Sequence, residues 1–277
     1  MKLIFTLLFI LLSPDLFSQG WTDYIAKNAL PVGENLEPDS NIYQAFKNYR
    51  LILTGEMHGT REPAKMVEQL ARLILQHEDQ VSIGLEIPEE EMSAFILNPS
   101  EKTLKNSTFF SKPNQDGRNS RAWFDLVNYC LHEPRVRVFF YDVTTHGVPR
   151  DSSMYLQVKK HALAHPSNKI LTISGNLHNR LIPYNGMKTL GSYLRANSLL
   201  FPEKSICSVY HYYAEGTMLN DTGNGLTLST IPYNETDFST GPFPNYFLFY
   251  ESAEPTPNNC IFFTRKVCHS ESINPNK

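Results

Sequence analysis

The sequence has no apolar run of the ~20 residues that a membrane helix needs, and no dense block of lysine and arginine. Its 25 Lys+Arg against 28 Asp+Glu leave a formal charge of -3. Affinity for nucleic acid comes mostly from neutralising phosphates, so this balance argues against a DNA- or RNA-binding role. No Gly-x-Gly-x-x-Gly or P-loop is present, which removes the usual support for a nucleotide cofactor. Neither is there a Gly-x-Ser-x-Gly elbow for a nucleophilic serine, or a Cys-x-x-Cys pair for a zinc ribbon. Internal repeats and long linkers are absent as well. What remains is a chain of 277 residues, 41% hydrophobic and 12% aromatic, enough for a full-sized core and unlike a disordered chain.

The first 20 residues read as a targeting segment. Lys2 supplies a positive end, Leu3 to Leu12 form a short apolar stretch, and Ser18 and Gly20 offer a small-residue cleavage point before Trp21. The expected organisation is a signal peptide over 1–20 and a single α/β domain over 21–277, exported to the periplasm or secreted. The four cysteines, Cys130, Cys207, Cys260 and Cys268, fit such a compartment as disulfides, and a local Cys260–Cys268 clip is the simplest pairing.

Short apolar runs alternate with helical patterns. Strands are expected at Arg50 to Thr54, Val81 to Ile87, Val136 to Tyr141, Lys169 to Ser174 and Ile206 to Tyr213. Between them come helices over Arg61 to about His77, Arg121 to Leu131, Asp151 to roughly His165, and Met187 to Asn197, with Thr60 and Asp151 as caps. That order implies a mainly parallel sheet flanked by helices. After Thr217 the composition turns to Gly-, Asn-, Thr- and Pro-rich turns. Tyr246 to Tyr250 and Ile261 to Thr264 are then expected as edge strands. Pro88 to Ser120 reads as a long irregular insertion after the second strand, placed as a lid over a site.

Ligands of open parallel sheets bind beyond the carboxyl ends of the strands. There the sequence places Glu56 and His58, Glu86, Asp142 with His146 four residues on, and His178. Glu86 and Asp142 follow apolar runs, where an unpartnered charge is costly to bury. Histidines with carboxylates support general acid–base chemistry. The same groups can hold a divalent metal that activates water. His211 is open to two readings, core residue or iron contact.

The segments Gly55-Glu56-Met57-His58 and Gly175-Asn176-Leu177-His178 resemble the two Gly-x-x-His motifs of a superfamily. It comprises the Tiki and TraB-type proteins, the ChaN-like haem-binding proteins and the erythromycin esterases. Leu85-Glu86, Arg150-Asp151-Ser152-Ser153-Met154 and Thr189 to Arg195 match in family order, so the likeness spans about Leu51 to Gly216. The Glu–His spacing is shorter than in the esterases and closer to ChaN, so macrolide hydrolysis is not carried over.

The resemblance implies an α/β fold with Glu56, His58, Glu86 and His178 as the core of the site. In the esterase branch the first histidine activates water without metal. In the Tiki branch the equivalent four residues are ligands of a divalent metal such as Mn, Co or Zn. In the ChaN branch the cofactor is haem. Arg61 and Arg150, with Asp142 and His146, would contact substrate, the arginines positioning an acidic group or stabilising developing charge. The preferred expectation is an exported hydrolase of an ester or amide bond in a small-molecule or peptide substrate. The alternative is a haem- or iron-binding envelope protein without turnover. Nothing in the sequence sets an oligomeric state.

Overall fold

The structure is a computed structural model and describes residues 14–112, 116–143, 147–202, 204–221, 226–252 and 255–273. Among the described residues nine strands form one sheet: β1 Leu30–Pro31, β2 Leu51–Glu56, β3 Val81–Pro88, β4 Val136–Asp142, β5 Lys169–Gly175, β6 Ile206–Asp221, β7 Leu226–Ile231, β8 Asn245–Phe249 and β9 Cys260–Val267. They lie in the order β1-β8-β9-β6-β2-β5-β3-β4, with β7 paired to β6 off this path. Neighbours from β4 through β9 run parallel, while β1, β7 and β8 pair antiparallel.

Helices cover both faces: α1 Pro14–Asn28, α2 Ser40–Phe46, α3 Glu62–Ile74, α4 Ser93–Leu97, α5 Glu101–Lys105, α6 Thr108–Ser111, α7 Arg121–His132, α8 Arg150–Ala164 and α9 Leu190–Ala196. The strand period of two sorts side chains between the faces. Leu51, Leu53 and Ile170 pack with Met154, Val158, Leu190 and Leu194 of α8 and α9. Ile52, Leu171 and Ile173 pack with Met66, Leu70, Trp123 and Val127 of α3 and α7 on the opposite side. β2 and β3 are buried at every residue, which is why they read as continuous apolar runs. β5 lies between β2 and β3. The connections therefore leave toward one face before β4 and toward the other after it, opening a crevice at the carboxyl ends of β2, β5 and β3.

The strand and helix expectations match this order closely, and the differences have local causes. Thr60 does not cap α3; its hydroxyl donates to Met57 O at 2.8 Å, tightening the turn after β2. Asp151 is no cap either, because α8 begins one residue earlier and its carboxylate is engaged elsewhere. β6 continues well past Tyr213 to Asp221 and turns back as β7, where a turn-rich segment was expected. β9 is an interior strand between β6 and β8 rather than an edge. The Pro88–Ser120 insertion is largely helical and buries Met92, Phe95, Leu104 and Phe110. α1 runs through the cleavage point expected before Trp21, whose ring meets those of Tyr24, Phe238 and Tyr250.

All four cysteines are free thiols. Cys260 opens β9 and Cys268 follows its last residue, so an extended strand holds them about 25 Å apart. A disulfide needs Cα atoms within roughly 7 Å. The local clip is therefore ruled out by the strand between its ends. Peptide mapping under non-reducing conditions should recover no Cys260–Cys268 linkage. Finding one would show that Cys260–Val267 is not a strand.

Candidate active site

β2 ends in Glu56, and the turn beyond it carries His58. Gly59 completes that turn at φ +87°, with Leu219 O close enough to exclude any side chain, so only glycine fits. The turn folds His58 Nδ1 back onto Glu56 Oε1 in a short ion pair. Glu56 is buried, and a quarter of the His58 side chain is exposed. On β3 the register with β4 slips between Leu85 and Pro88, placing an extra residue on β3 at Glu86–Ile87. Irregularities of this kind re-aim side chains. Here Glu86 Oε2 accepts the Gly175 N–H of β5 at 2.8 Å.

The second oxygen of Glu86 meets two guanidinium groups. Arg118 Nη1 donates to Oε1 at 3.0 Å and Arg150 Nη2 at 2.5 Å. Asp142, at the end of β4, accepts from the same pair: Arg150 Nε at 2.8 Å and Nη2 at 2.6 Å, and Arg118 Nη1 at 3.2 Å. Asp116 takes the remaining edge of Arg118, through Nη2 at 2.6 Å and Nε at 2.9 Å.

His178 lies beyond β5. Its Nδ1 faces Asp151 Oδ1 at 2.8 Å, and Asp151 Oδ2 accepts the Leu190 N–H of α9 at 2.8 Å. Its Nε2 stands 3.2 Å from Arg150 Nη1. The loop that carries His178 is pinned by Asn176, whose side chain bonds both backbone groups of His211 and whose N–H donates to the Glu56 carbonyl. A methyl added to Gly175 would touch His58 Nε2 at 3.6 Å and His178 Cδ2 at 3.7 Å. The two imidazoles, each backed by a carboxylate, thus flank one spot at the end of β5.

The electrostatics follow from this packing. Burial pushes the His58 pKa down, but the charge and hydrogen bond of Glu56, with Glu86 behind, outweigh it and raise it to about 9. For His178, burial is likewise overcome by Asp151 and Glu86, and the pKa is raised. Burial would push Glu86 up, yet Arg118, His58, His178 and Arg150 hold it at about 2. The two arginines are driven further into their charged forms by the carboxylates, against burial.

Of the residues expected from sequence, Glu56, His58, Glu86, His178, Asp142 and Arg150 come together here. Arg61 does not: its exposed guanidinium pairs with Glu62 Oε1 at 3.3 Å. His146 lies outside the described residues. His211 is a core residue, its Nε2 on Thr264 Oγ1 at 2.9 Å and its pKa pushed down to about 3 by burial. Arg118 and Asp116 were not foreseen, and Asp151 was assigned a different task. A signal for Arg118 existed. Two carboxylates ending apolar strands need more positive charge than Arg150 alone supplies.

Every guanidinium nitrogen but Arg150 Nη1, which stands beside His178 Nε2, already donates to a carboxylate of the cluster. That leaves neither arginine a two-nitrogen edge with which to grip an acidic group of a substrate. It also speaks against the metal set Glu56, His58, Glu86 and His178. Both Glu86 oxygens are taken, and two guanidinium cations occupy the side of Glu86 that a metal would need. Among the described residues no three His, Cys, Asp or Glu side chains group as metal ligands.

No protein-family profile matches the sequence, and no curated protein matches it. Solved structures do. A Bacillus cereus protein superposes with a TM-score of 0.70 at 10% identity, covering 92% of this chain and 99% of that one. A mutant of an erythromycin esterase, in its open conformation, superposes at 0.61 with 10% identity, over 87% and 97% of the two chains. The chain shares the fold of an erythromycin esterase. A succinoglycan biosynthesis protein has it too, with a TM-score of 0.65 at 11% identity over 94% and 100%. At these identities the likeness extends to the fold alone, and the chemistry must be argued from the cluster.

Removing one partner of a buried ion pair strands a charge and costs about 3–5 kcal/mol. Arg118→Met should therefore lower unfolding free energy in urea by about that amount, and Lys204→Met, on the exposed pair with Glu251, by less than ~0.5 kcal/mol. Equal effects would show that the Glu86 cluster is not the buried centre described here.

Proposed function

We propose that this protein is a hydrolase of neutral ester or amide bonds that works by histidine acid–base chemistry. The observation that carries the reading is the pair of carboxylate-backed imidazoles meeting at Gly175. His58, in its neutral form, takes a proton from water at Nε2, while Glu56 holds Nδ1–H and stabilises the imidazolium that forms. The hydroxide adds to the carbonyl carbon bound over Gly175. Arg150 Nη1, the guanidinium atom turned toward His178, faces the negative charge that develops on the carbonyl oxygen. His178, whose raised pKa favours the imidazolium, gives a proton to the leaving group as the tetrahedral intermediate collapses.

The solved erythromycin esterase supports the reading, since it pairs ester chemistry with this fold. The commitment of both arginines to carboxylates supports a neutral substrate over an anionic one. We read the leader at residues 1–20 as an export signal, which would place the activity outside the cytoplasm.

A neutral p-nitrophenyl ester series tests the proposal. His58→Ala should lower kcat by roughly a hundred- to ten-thousand-fold, the range of general-base catalysis by a side chain, with circular dichroism unchanged. The pH profile gives an independent check. The base must be neutral, with a pKa raised to about 9, and His178 must keep its proton, so kcat/KM should climb about tenfold per pH unit on the acid side, flatten once His178 titrates and fall above pH 9. Full activity in His58→Ala, or a profile already flat below pH 6.5, would remove His58 from the role of base.

A further inference from the structure

Among the described residues three strands of the sheet have an open side, and two of them are guarded. β1 is only two residues long and ends in Pro31. β4 carries the exposed Arg137 and is overlaid by the Glu89–Met92 turn and by α8. Both devices discourage a foreign strand from pairing. β7 has neither. It reads Leu-Thr-Leu-Ser-Thr-Ile over Leu226–Ile231 with no charge and no proline, and β6 is its one strand partner among the described residues. Thr227, Leu228 and Thr230 are exposed, Leu228 by 58%.

The backbone shows what that edge offers. Leu219 of β6 lies opposite Leu228. Its N–H is donated to Gly59 O at 3.2 Å, and its carbonyl also faces Gly59. The Leu219–Leu228 pair is therefore a non-hydrogen-bonded one, and the N–H and C=O of Leu228 point to the open side, followed by those of Leu226 and Thr230.

We propose that β7 is a self-association edge, pairing antiparallel with β7 of a second copy about a two-fold axis at Leu228. This register sets Leu228 against the partner's Leu228, Leu226 against Thr230, and Thr227 against Ser229. Leu226, Leu228 and Thr230 share one face of the pairing and Thr227 and Ser229 the other, without like charges in opposition. The strand complements itself, as a two-fold interface requires, and the two Leu228 residues exchange a pair of backbone hydrogen bonds. Leu219 and Asn220 of β6 bond the carbonyls of Gly59 and His58, so the interface would lie next to the turn that carries His58.

Sedimentation velocity on the wild type, Leu228→Pro and Leu228→Lys tests this. Proline deletes the outward N–H, which β6 does not use, and lysine places two positive charges on the axis. The expected result is a wild type at about twice the monomer mass, with both variants monomeric and their melting temperatures unchanged. Should the proline variant fail to fold, the lysine variant decides alone. A wild type that stays monomeric overturns the proposal, including one whose edge captures an unrelated extended peptide instead. A dimer that survives both substitutions overturns it as well.

Discussion

A carboxylate with no exposed surface sits at the centre of this molecule. Glu86 can be charged there only because Gly175 N–H, Arg118 and Arg150 converge on it from three different segments. Each donor has its own structural requirement. Gly175 needs β5 inserted between β2 and β3. Arg150 needs α8 to begin beside the end of β4, and Arg118 needs the insertion after β3 to fold down over the crevice. The sheet order, the helical insertion and the site are thus one constraint seen at three scales.

The same charge organises the histidines. Glu86 adds its field to Glu56 at His58 and to Asp151 at His178, raising both pKa values in spite of burial. Linkage then gives each end of the pH scale a different weakness. His58, raised from 6.5 to about 9, stabilises the fold fully below pH 6.5 and loses that contribution as pH rises through 9. Glu86, lowered from 4.5 to about 2, contributes above pH 4.5 and loses it as pH falls toward 2.

Much of this was legible in the sequence, because the parallel strands are buried on both faces and announce themselves as apolar runs. Glu56, Glu86 and Asp142 stood out as carboxylates at the ends of such runs, and His58 and His178 followed glycine turns after two of them. What was not legible depends on contacts between distant segments. Arg118 belongs to a polar stretch where nothing local marks it, and only the charge deficit around Glu86 and Asp142 calls for it. Asp151 looked like a cap because caps and histidine-orienting carboxylates share a residue type, and only the position of His178 separates the two. β7 was hidden by a composition rich in turn residues, and the interior place of β9 followed from pairings that no local pattern encodes.

The central claim is that buried carboxylates hold the imidazoles in a strongly basic state. Titrating the His58 ring by NMR, in the wild type and in Glu56→Gln, addresses it directly. The account predicts a midpoint near 9 in the wild type and a marked fall in the variant, where the neutral amide no longer opposes the lowering effect of burial. A wild-type midpoint at or below 6.5, or one that Glu56→Gln leaves in place, would contradict it.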